Sequence, residues 1–593
     1  MKRSIAGLPL GLLLGLLVAA AQPAFAARDP AAPIGPEIAP PPSGLNRQEL
    51  EAKARAGDAE AQYRIGVMQH LGFGEPADFA AARDWYRQAV ERGHAGAAGM
   101  LGFMFLVGQG GTPDRAAAQK LFEKGATGGD LMSKGNLAAL LLRGADGKPR
   151  DARRAVKLLE EAAEGGLAAG THRLGLLARD GDVVPKDLAR ARALLAKAAS
   201  IGLPDAQNDY GAMLEHGEGG AADPFAAAYW YERALARGSA EAFLNLGSLR
   251  ERGLGLPRDE VKARALYRVA AERGLAAAQY NLGVMAAHGL GGVADLAEAR
   301  AWYEKAAAQD YVPAKNNLAT LLLNGWGGER DGARALDLFR AAAEAGDANA
   351  QANYGMVLLE GSAGPRDPHA AVEWLEKAVA RDVPNAKLTL GLALVDGAAG
   401  EPDSERGHRL VVEAAESGLD RAQYRLALWL SAGRFGAADN SAAVAWLRKA
   451  AAQGFASAQL MLGFHLEKGL GTAADPPGAA EAYRDAARQG TANAAFALGA
   501  LYDRGFGVPQ DAREAVRWYA RAAEAGHAQA MFNLADLYRL GQGIARDAAE
   551  AHAWWRLAAD RGLREAQRNL ILLEREMSEE DRKRAATLYE QRR

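Results

Sequence analysis

The sequence predicts an all-α protein, an α/α superhelical solenoid of about fourteen helix pairs, because three series of residues repeat on one 36-residue grid. Two of these series mark positions inside each unit, and the third is a glycine that ends most units. The first is aspartate, with steps of 36 residues and one step of 37, at Asp78, Asp114, Asp151, Asp187, Asp223, Asp259, Asp295, Asp331, Asp367, Asp403, Asp439, Asp475, Asp511 and Asp547. The second is a small residue, at Gly66, Gly102, Ala138, Gly175, Gly211, Gly247, Gly283, Ala319, Gly355, Gly391, Ala427, Gly463, Gly499 and Ala535.

Residues 276–311 show how one unit folds. Apolar residues at helical spacing predict a first helix, helix A, up to about Ala287. Gly289 ends it, since glycine adopts the left-handed conformation at low cost. Asp295 then stands at the N-cap of helix B, where its carboxylate accepts a hydrogen bond from a free amide, worth about 1 kcal/mol. Helix B stops near Asp310, and aspartate tolerates the left-handed conformation expected there.

The small residue in the middle of helix A predicts tight packing. A helix of this length is marginal alone in water, and stacked neighbours are needed to bury its apolar stripe. Glycine inside a helix costs about 1 kcal/mol relative to alanine. We therefore expect close backbone approach of a neighbouring helix at this position, and destabilisation by overpacking when Gly283 is replaced by leucine.

The N-terminus indicates export. Lys2 and Arg3 precede an apolar run, and Ala24-Phe25-Ala26 supplies the small residues that a signal peptidase reads. We therefore expect cleavage after Ala26 and a periplasmic or secreted protein, with a retained membrane anchor as the alternative. The predicted segments are a signal peptide (1–26), a Pro-rich disordered linker (27–44), an N-terminal capping helix (45–58), fourteen repeats (59–563) and C-terminal capping helices (564–593).

Composition and motifs exclude several classes of function. The 71 Lys+Arg nearly balance the 73 Asp+Glu, which gives no electrostatic reason to bind nucleic acid. No cysteine is present, so disulfides and thiolate sites are excluded, and no later apolar run is long enough to span a bilayer. The ten histidines lack metal-ligand spacing, and the prominent aspartates are repeated rather than unique. We predict no catalytic residue, no metal and no cofactor.

Seven of the ten tryptophans share one position on helix B, which predicts core packing between repeats rather than stacking on sugars. They are Trp85, Trp230, Trp302, Trp374, Trp446, Trp518 and Trp554. Trp326 and Trp429 fall outside that position.

The repeated unit resembles the Sel1-like repeat, a relative of the tetratricopeptide repeat. Residues 492–527 show the pattern, with Leu498-Gly499, a Gly-x-Gly loop at residues 505–507, Asp511 and Trp518-Tyr519. The resemblance covers roughly 59–563. It implies an α/α superhelix that acts as a non-catalytic adaptor for protein–protein contacts, and exported bacterial relatives resemble scaffolds of exopolysaccharide secretion or inhibitors of envelope signalling.

In stacks of this kind helix A lines the concave surface, where we place the partner-binding residues. Two residues before the small residue, asparagine recurs at Asn136, Asn245, Asn281, Asn317, Asn353 and Asn533. It either bonds to the neighbouring repeat or forms a ladder of amides that pair with a bound peptide backbone. Seven residues along stand Arg252, His288, Asn324 and Glu360, and farther on the stripe turns apolar at Leu392, Leu428 and Phe464.

The expected occupant of this groove is an extended or helical segment of another envelope protein. The rival function is direct binding of peptidoglycan or another polysaccharide. That function needs exposed aromatic side chains in the groove, for which Trp326, Trp429 and Phe464 are the candidates.

Overall fold

The computed structural model describes residues 29, 31–35, 47–73, 75–144 and 150–593. This part of the chain contains thirty-one helices and no strand, which confirms the all-α prediction. The predicted signal peptide and most of the predicted linker lie outside the described residues. The structure divides into two compact units, Met1–Asp331 and Gly332–Arg593.

In the first unit A helices carry even numbers and B helices odd numbers, and each helix packs against the next one along the chain. The helices are α1 (Arg47–Arg55), α2 (Ala59–Leu71), α3 (Phe79–Glu91), α4 (Ala95–Val107), α5 (Arg115–Thr127), α6 (Leu131–Arg143), α7 (Ala152–Glu164), α8 (Ala168–Asp180), α9 (Leu188–Ile201), α10 (Pro204–His216), α11 (Pro224–Leu235), α12 (Ala240–Arg252), α13 (Glu260–Glu272), α14 (Ala276–His288), α15 (Leu296–Ala307) and α16 (Val312–Asn324).

The second unit continues the same alternation and ends in two further helices at the C-terminus. Its helices are α17 (Gly332–Glu344), α18 (Ala348–Glu360), α19 (Pro368–Val379), α20 (Pro384–Asp396), α21 (Ser404–Glu416), α22 (Asp420–Ala432), α23 (Asn440–Ala452), α24 (Ala456–Lys468), α25 (Pro476–Arg488), α26 (Ala492–Arg504), α27 (Ala512–Glu524), α28 (Ala528–Leu540), α29 (Ala548–Asp560), α30 (Arg564–Glu576) and α31 (Glu579–Arg592).

The repeated aspartates cap the B helices. At thirteen of these positions the carboxylate accepts a hydrogen bond from an amide of the first turn, as Asp295 does from the Glu298 amide at 2.9 Å. Gly289 ends α14 in the left-handed conformation, with a φ of 69°. Among described non-glycine residues only Asp310 and Asp382 have a positive φ. These predictions from the sequence are confirmed.

Glutamines join consecutive repeats. In six places the side-chain Nε2 of a glutamine in the first turn of helix A donates to a carbonyl in the last turn of the preceding helix B. These pairs are Gln62 with Ala54, Gln207 with Ala199, Gln279 with Ala271, Gln351 with Ala343, Gln423 with Ala415, and Gln459 with Ala451, at 3.0 to 3.3 Å. The carbonyls at a helix end have no partner within their helix, and here the next repeat supplies one.

Most mid-helix glycines face an aromatic ring, so the expected close approach of a neighbouring backbone is wrong at these positions, whereas Gly391 does meet the Gly407 carbonyl oxygen, 2.8 Å from an added Cβ. A Cβ added at Gly283 would lie 2.6 Å from Cε1 of Tyr303, which is a fully buried residue of the following helix B. The same clash recurs between Gly66 and Tyr86, Gly211 and Tyr231, Gly247 and Tyr267, Gly463 and Tyr483, and Gly499 and Tyr519. At these six positions a tyrosine ring occupies the space that a side chain on helix A would need.

The close backbone approach occurs instead in the loop between helix A and helix B. A Cβ at Gly291 would lie 2.4 Å from the carbonyl oxygen of Glu260, at the start of the preceding helix B. Gly327 stands in the same relation to Leu296, at 2.2 Å. Both loop glycines also have a φ near 70°. The second glycine of the Gly-x-Gly loop therefore fixes the distance between consecutive repeats.

Candidate functional site

The position two residues before the mid-helix small residue forms a buried polar line in the first unit, which we call the slot. From α6 to α16 its members are Asn136, Arg173, Asp209, Asn245, Asn281 and Asn317. Each is at most 7% exposed. Buried polar groups need hydrogen-bond partners, so the partners of these side chains decide what the slot does.

Asn245 and Asn317 bond to side chains of the protein itself. Asn245 donates from Nδ2 to Oδ1 of Asn208 at 3.0 Å, across to the preceding helix A. Asn317 donates to the hydroxyl of Tyr303 at 3.3 Å. Both contacts join neighbouring repeats. This is the structural role that the sequence analysis gave as the alternative to peptide binding.

Asn281 differs from its neighbours in the slot. Its Nδ2 is buried and has no hydrogen-bond partner among the described residues. An unpaired buried donor costs about 1–3 kcal/mol. No described residue accepts a hydrogen bond from this amide, which distinguishes Asn281 from Asn245 and Asn317.

Asn136 holds a segment from near the N-terminus. Its Oδ1 accepts a hydrogen bond from the Ile34 amide at 2.7 Å, and its Nδ2 donates to the Ile34 carbonyl at 3.1 Å. One carboxamide thus satisfies both backbone groups of one residue outside regular secondary structure. The sequence placed Asn136 in the recurrent asparagine series but gave no signal for the segment that it binds.

Arg173, the next member of the slot, extends this contact. Its guanidinium donates to the carbonyl of Ala32 and, at 3.3 Å, to the carbonyl of Gly135. Burial lowers the pKa of Arg173 to about 10, so the group remains charged at neutral pH.

The polar residues seven positions along lie at the ends of the A helices. Arg252 forms an ion pair with Glu215 at 3.0 Å, and Glu215 also accepts from the Tyr231 hydroxyl at 2.9 Å. His288 is exposed. Asn324 is half-buried and donates to the Thr320 carbonyl at 2.8 Å within its own helix. His288 and Asn324 are therefore accessible, whereas the guanidinium of Arg252 is paired with Glu215 of the neighbouring repeat.

The second unit carries the other predicted partner-binding residues. Asn353, Glu360 and Leu428 are half-buried, and Phe464 is 41% exposed. Burial raises the pKa of Glu360, whose Oε1 accepts no hydrogen bond from the described residues. Leu392 is buried, so it adds little to an apolar surface. Phe464 is the one member of this stripe that offers an exposed apolar face.

The tryptophan position is more exposed than the sequence prediction implies. Trp302 contacts the core of the preceding repeat, as expected, but six of the seven rings are only half-buried, and Trp554 alone is buried. The fully buried aromatic side chain is the next residue, as in Tyr303. A lysine three positions on covers several of the tryptophan rings, with Nζ of Lys305 lying 3.9 Å from the centre of the Trp302 ring.

The remaining aromatic candidates for glycan binding are not exposed either. Trp429 is buried against His408 and Phe435, and Trp326 is half-buried in its loop. Within the described ranges, no cluster of three or more histidine, aspartate and glutamate side chains could hold a metal ion. None of the described helices is both long enough and apolar enough to cross a membrane.

Several solved structures are similar to this chain. A protective antigen present in uropathogenic Escherichia coli strains is 29% identical over 74% of this chain and 94% of its own, with a TM-score of 0.47. A Sel1 repeat protein from Oxalobacter formigenes is 28% identical over 52% of this chain and 89% of its own, with a TM-score of 0.39. No curated protein matches.

A model of the Sel1 repeat matches thirteen segments of the chain. They are residues 59–94, 95–130, 135–167, 168–203, 204–239, 240–275, 276–311, 312–347, 348–383, 420–455, 456–491, 492–527 and 528–563. In the unmatched range 384–419 the helices α20 and α21 are present, but Leu410 and Val411 replace the Trp-Tyr pair. Since these matches cover most of the sequence, the chain belongs to the Sel1 repeat family.

Proposed function

We propose that this chain is a non-catalytic adaptor of the bacterial cell envelope, which binds extended or helical segments of other envelope proteins along its A helices. Sel1 and tetratricopeptide-like repeats generally mediate protein–protein interaction. We further propose a role in exopolysaccharide secretion or envelope signalling, and location in the periplasm after cleavage behind Ala26.

The contact between Asn136 and Ile34 carries this proposal. The slot amide pairs with the backbone amide and carbonyl of Ile34, so these two hydrogen bonds can form with any residue except proline at that point. Such pairing suits an adaptor, because main-chain hydrogen bonds give affinity while neighbouring pockets give specificity. Asn281 offers a second buried donor of the same kind.

The aromatic side chains favour a protein partner over a glycan. Stacking on a sugar ring needs a free aromatic face, and the lysines beside Trp302 and Trp374 cover theirs at 3.9 and 3.6 Å. Among the groove candidates Trp326, Trp429 and Phe464, only Phe464 is exposed, and the other exposed aromatic side chains of the described residues lie in loops or on a B helix. A single exposed phenylalanine fits an apolar anchor of a protein interface better than a platform for a polysaccharide.

Crosslinking in cells tests the adaptor function. A photo-reactive amino acid is placed at His288 or at Phe464, with exposed Val261 on a B helix as the matched control. We expect discrete protein adducts from the two A-helix positions and none from position 261. The same adducts at all three positions, or no protein adducts together with co-sedimentation of the purified chain with peptidoglycan, would contradict the proposal.

A further inference from the structure

Residues 31–35 lie on helices α6 and α8, where slot side chains bind their backbone. We propose that α6 and α8 form a binding site for short peptide segments without regular secondary structure, and that Asp29 and residues 31–35 occupy it as a tethered competitor. This inference rests on the proposed function, because it takes one part of the A-helix surface as a peptide site and names what fills it.

Two buried polar side chains of the slot bind the backbone of the segment. Asn136 is completely buried, and its carboxamide donates one hydrogen bond to the Ile34 carbonyl and accepts one from the Ile34 amide. Arg173 adds a charge-assisted hydrogen bond to the carbonyl of Ala32, two residues earlier. Ala32 closes a turn, in which its amide donates to the Asp29 carbonyl at 2.9 Å, and residues 33–35 have no regular secondary structure.

Side-chain recognition comes from a gap over α6. Ile34 is 7% exposed, and a Cβ added at Gly135 would lie 2.5 Å from its Cδ1. The same added atom would lie 3.3 Å from Cδ2 of Leu167. The absence of a side chain at Gly135 thus provides the space that Ile34 fills, and an aliphatic side chain is the expected anchor of any ligand.

A charged contact sets the direction of the segment. Arg143, the last residue of α6, forms an ion pair with Asp29, five residues before Ile34. The Ala31 amide also donates to the Asp29 carboxylate at 2.8 Å. The Ala32 amide donates to the Asp29 carbonyl at 2.9 Å, so the segment begins with a turn. The preferred ligand is therefore a peptide with an acidic residue at the start of a turn and an aliphatic residue five positions later.

The tethered segment does not fill the whole site. A cavity of about 350 Å³ remains between residues 32–35 and the helices α8 and α10, lined among others by Ala32, His172, Leu176 and Leu203. A longer apolar side chain at the position of Ala32 has space to enter this cavity. A partner with such a side chain could therefore displace the protein's own segment.

Tethering explains how a short segment can occupy the site. Only eleven residues separate Gly35 from Arg47, the first residue of α1. A short linker holds a ligand at an effective concentration of the order of 1 mM. A free peptide with a Kd of about 0.1 mM for the open site would then bind the wild-type chain about tenfold more weakly.

Fluorescence anisotropy with a labelled peptide of sequence Asp-Pro-Ala-Ala-Pro-Ile-Gly, copied from residues 29–35, tests the proposal. In the full chain, Ile34→Asp places a charge in the apolar gap and should release the segment. We expect the peptide to bind this variant at least tenfold more tightly than wild type. Equal binding to both chains, or no binding to Ile34→Asp, would overturn the proposal.

Two further variants separate recognition from folding. Added to Ile34→Asp, Asn136→Ala should abolish peptide binding, whereas Asn533→Ala, the same position in a distant repeat, should leave it unchanged. In the wild-type chain the Ile34 amide should be protected from hydrogen exchange, and Asn136→Ala alone should remove this protection. Binding that survives Asn136→Ala, or an unprotected Ile34 amide in the wild type, contradicts the assignment.

These outcomes are independent of the cellular crosslinking. Peptide binding by the purified chain, with no protein adducts in cells and co-sedimentation of the chain with peptidoglycan, would overturn the adaptor function and leave the site intact. Protein adducts in cells without peptide binding by the purified chain would refute the peptide site at α6 and α8 and would still support the adaptor function.

Discussion

Replacing Gly283 by leucine places four carbon atoms where one already collides with Tyr303. The first of them, Cβ, would lie 2.6 Å from the ring, about 1 Å closer than a normal van der Waals contact. Tyr303 is fully buried and cannot swing into solvent. Overpacking of this kind costs about 1–3 kcal/mol, and the better helix propensity of leucine returns about 0.8 kcal/mol. If the overpacking costs about 3 kcal/mol, the free energy of unfolding falls by about 2 kcal/mol in total.

Hydrogen exchange measured by mass spectrometry is the suitable assay, because local stability differs along a repeat protein. A loss of about 2 kcal/mol should speed exchange of amides in α14 and α15 about thirtyfold and lower the thermal midpoint. The milder Gly283→Ala should recover stability when combined with Tyr303→Leu, since Ala427 already lies opposite Leu447 in another repeat. An unchanged thermal midpoint in Gly283→Leu, or strict additivity in the alanine double variant, would refute the reasoning.

Three further predictions concern caps, charge and the slot. Asp259→Ala removes the acceptor of the Lys262 amide and should cost about 1 kcal/mol in chemical denaturation, while Asp259→Asn should retain most of the capping. Because burial raises the pKa of Glu360, its ionised form destabilises the folded state above the unfolded pKa of about 4.3. Glu360→Gln should therefore raise the thermal midpoint at pH 7 and leave it unchanged below about pH 4, and a difference of equal size at both values would contradict this. Asn245→Ala should cost about 1–2 kcal/mol because it removes a buried hydrogen bond, whereas Asn281→Ala should cost less because its Nδ2 is unpaired; equal losses in denaturant titrations would contradict the difference.

Local chemistry made the helices predictable from sequence. Asp295 caps a helix and Gly289 ends one for reasons that lie within a few residues of the chain. The cause of the glycine at position 283 was not local. The residue that requires it, Tyr303, is twenty positions away, and the periodic pattern shows that space is needed without showing which atom needs it.

The candidate site was less predictable for the same reason. The recurrence of asparagine identified the slot, but identical residues in it have different partners, as Asn136 and Asn245 show. These partners lie on other helices or, for Asn136, 102 residues away along the chain. The proline-rich composition around Ile34 predicts an extended conformation, and nothing in that composition indicates where an extended segment binds.

The glutamine contacts between repeats have a consequence for the conditions in which the protein works. An amide that donates to a carbonyl carries no net charge, so neither dissolved salt nor acid weakens it directly. Gln279, for example, holds α14 to the end of α13 without an ionisable group. In the periplasm, the location that we propose, acidity and salinity change with the surroundings, and repeats joined by uncharged contacts should keep their alignment through such changes.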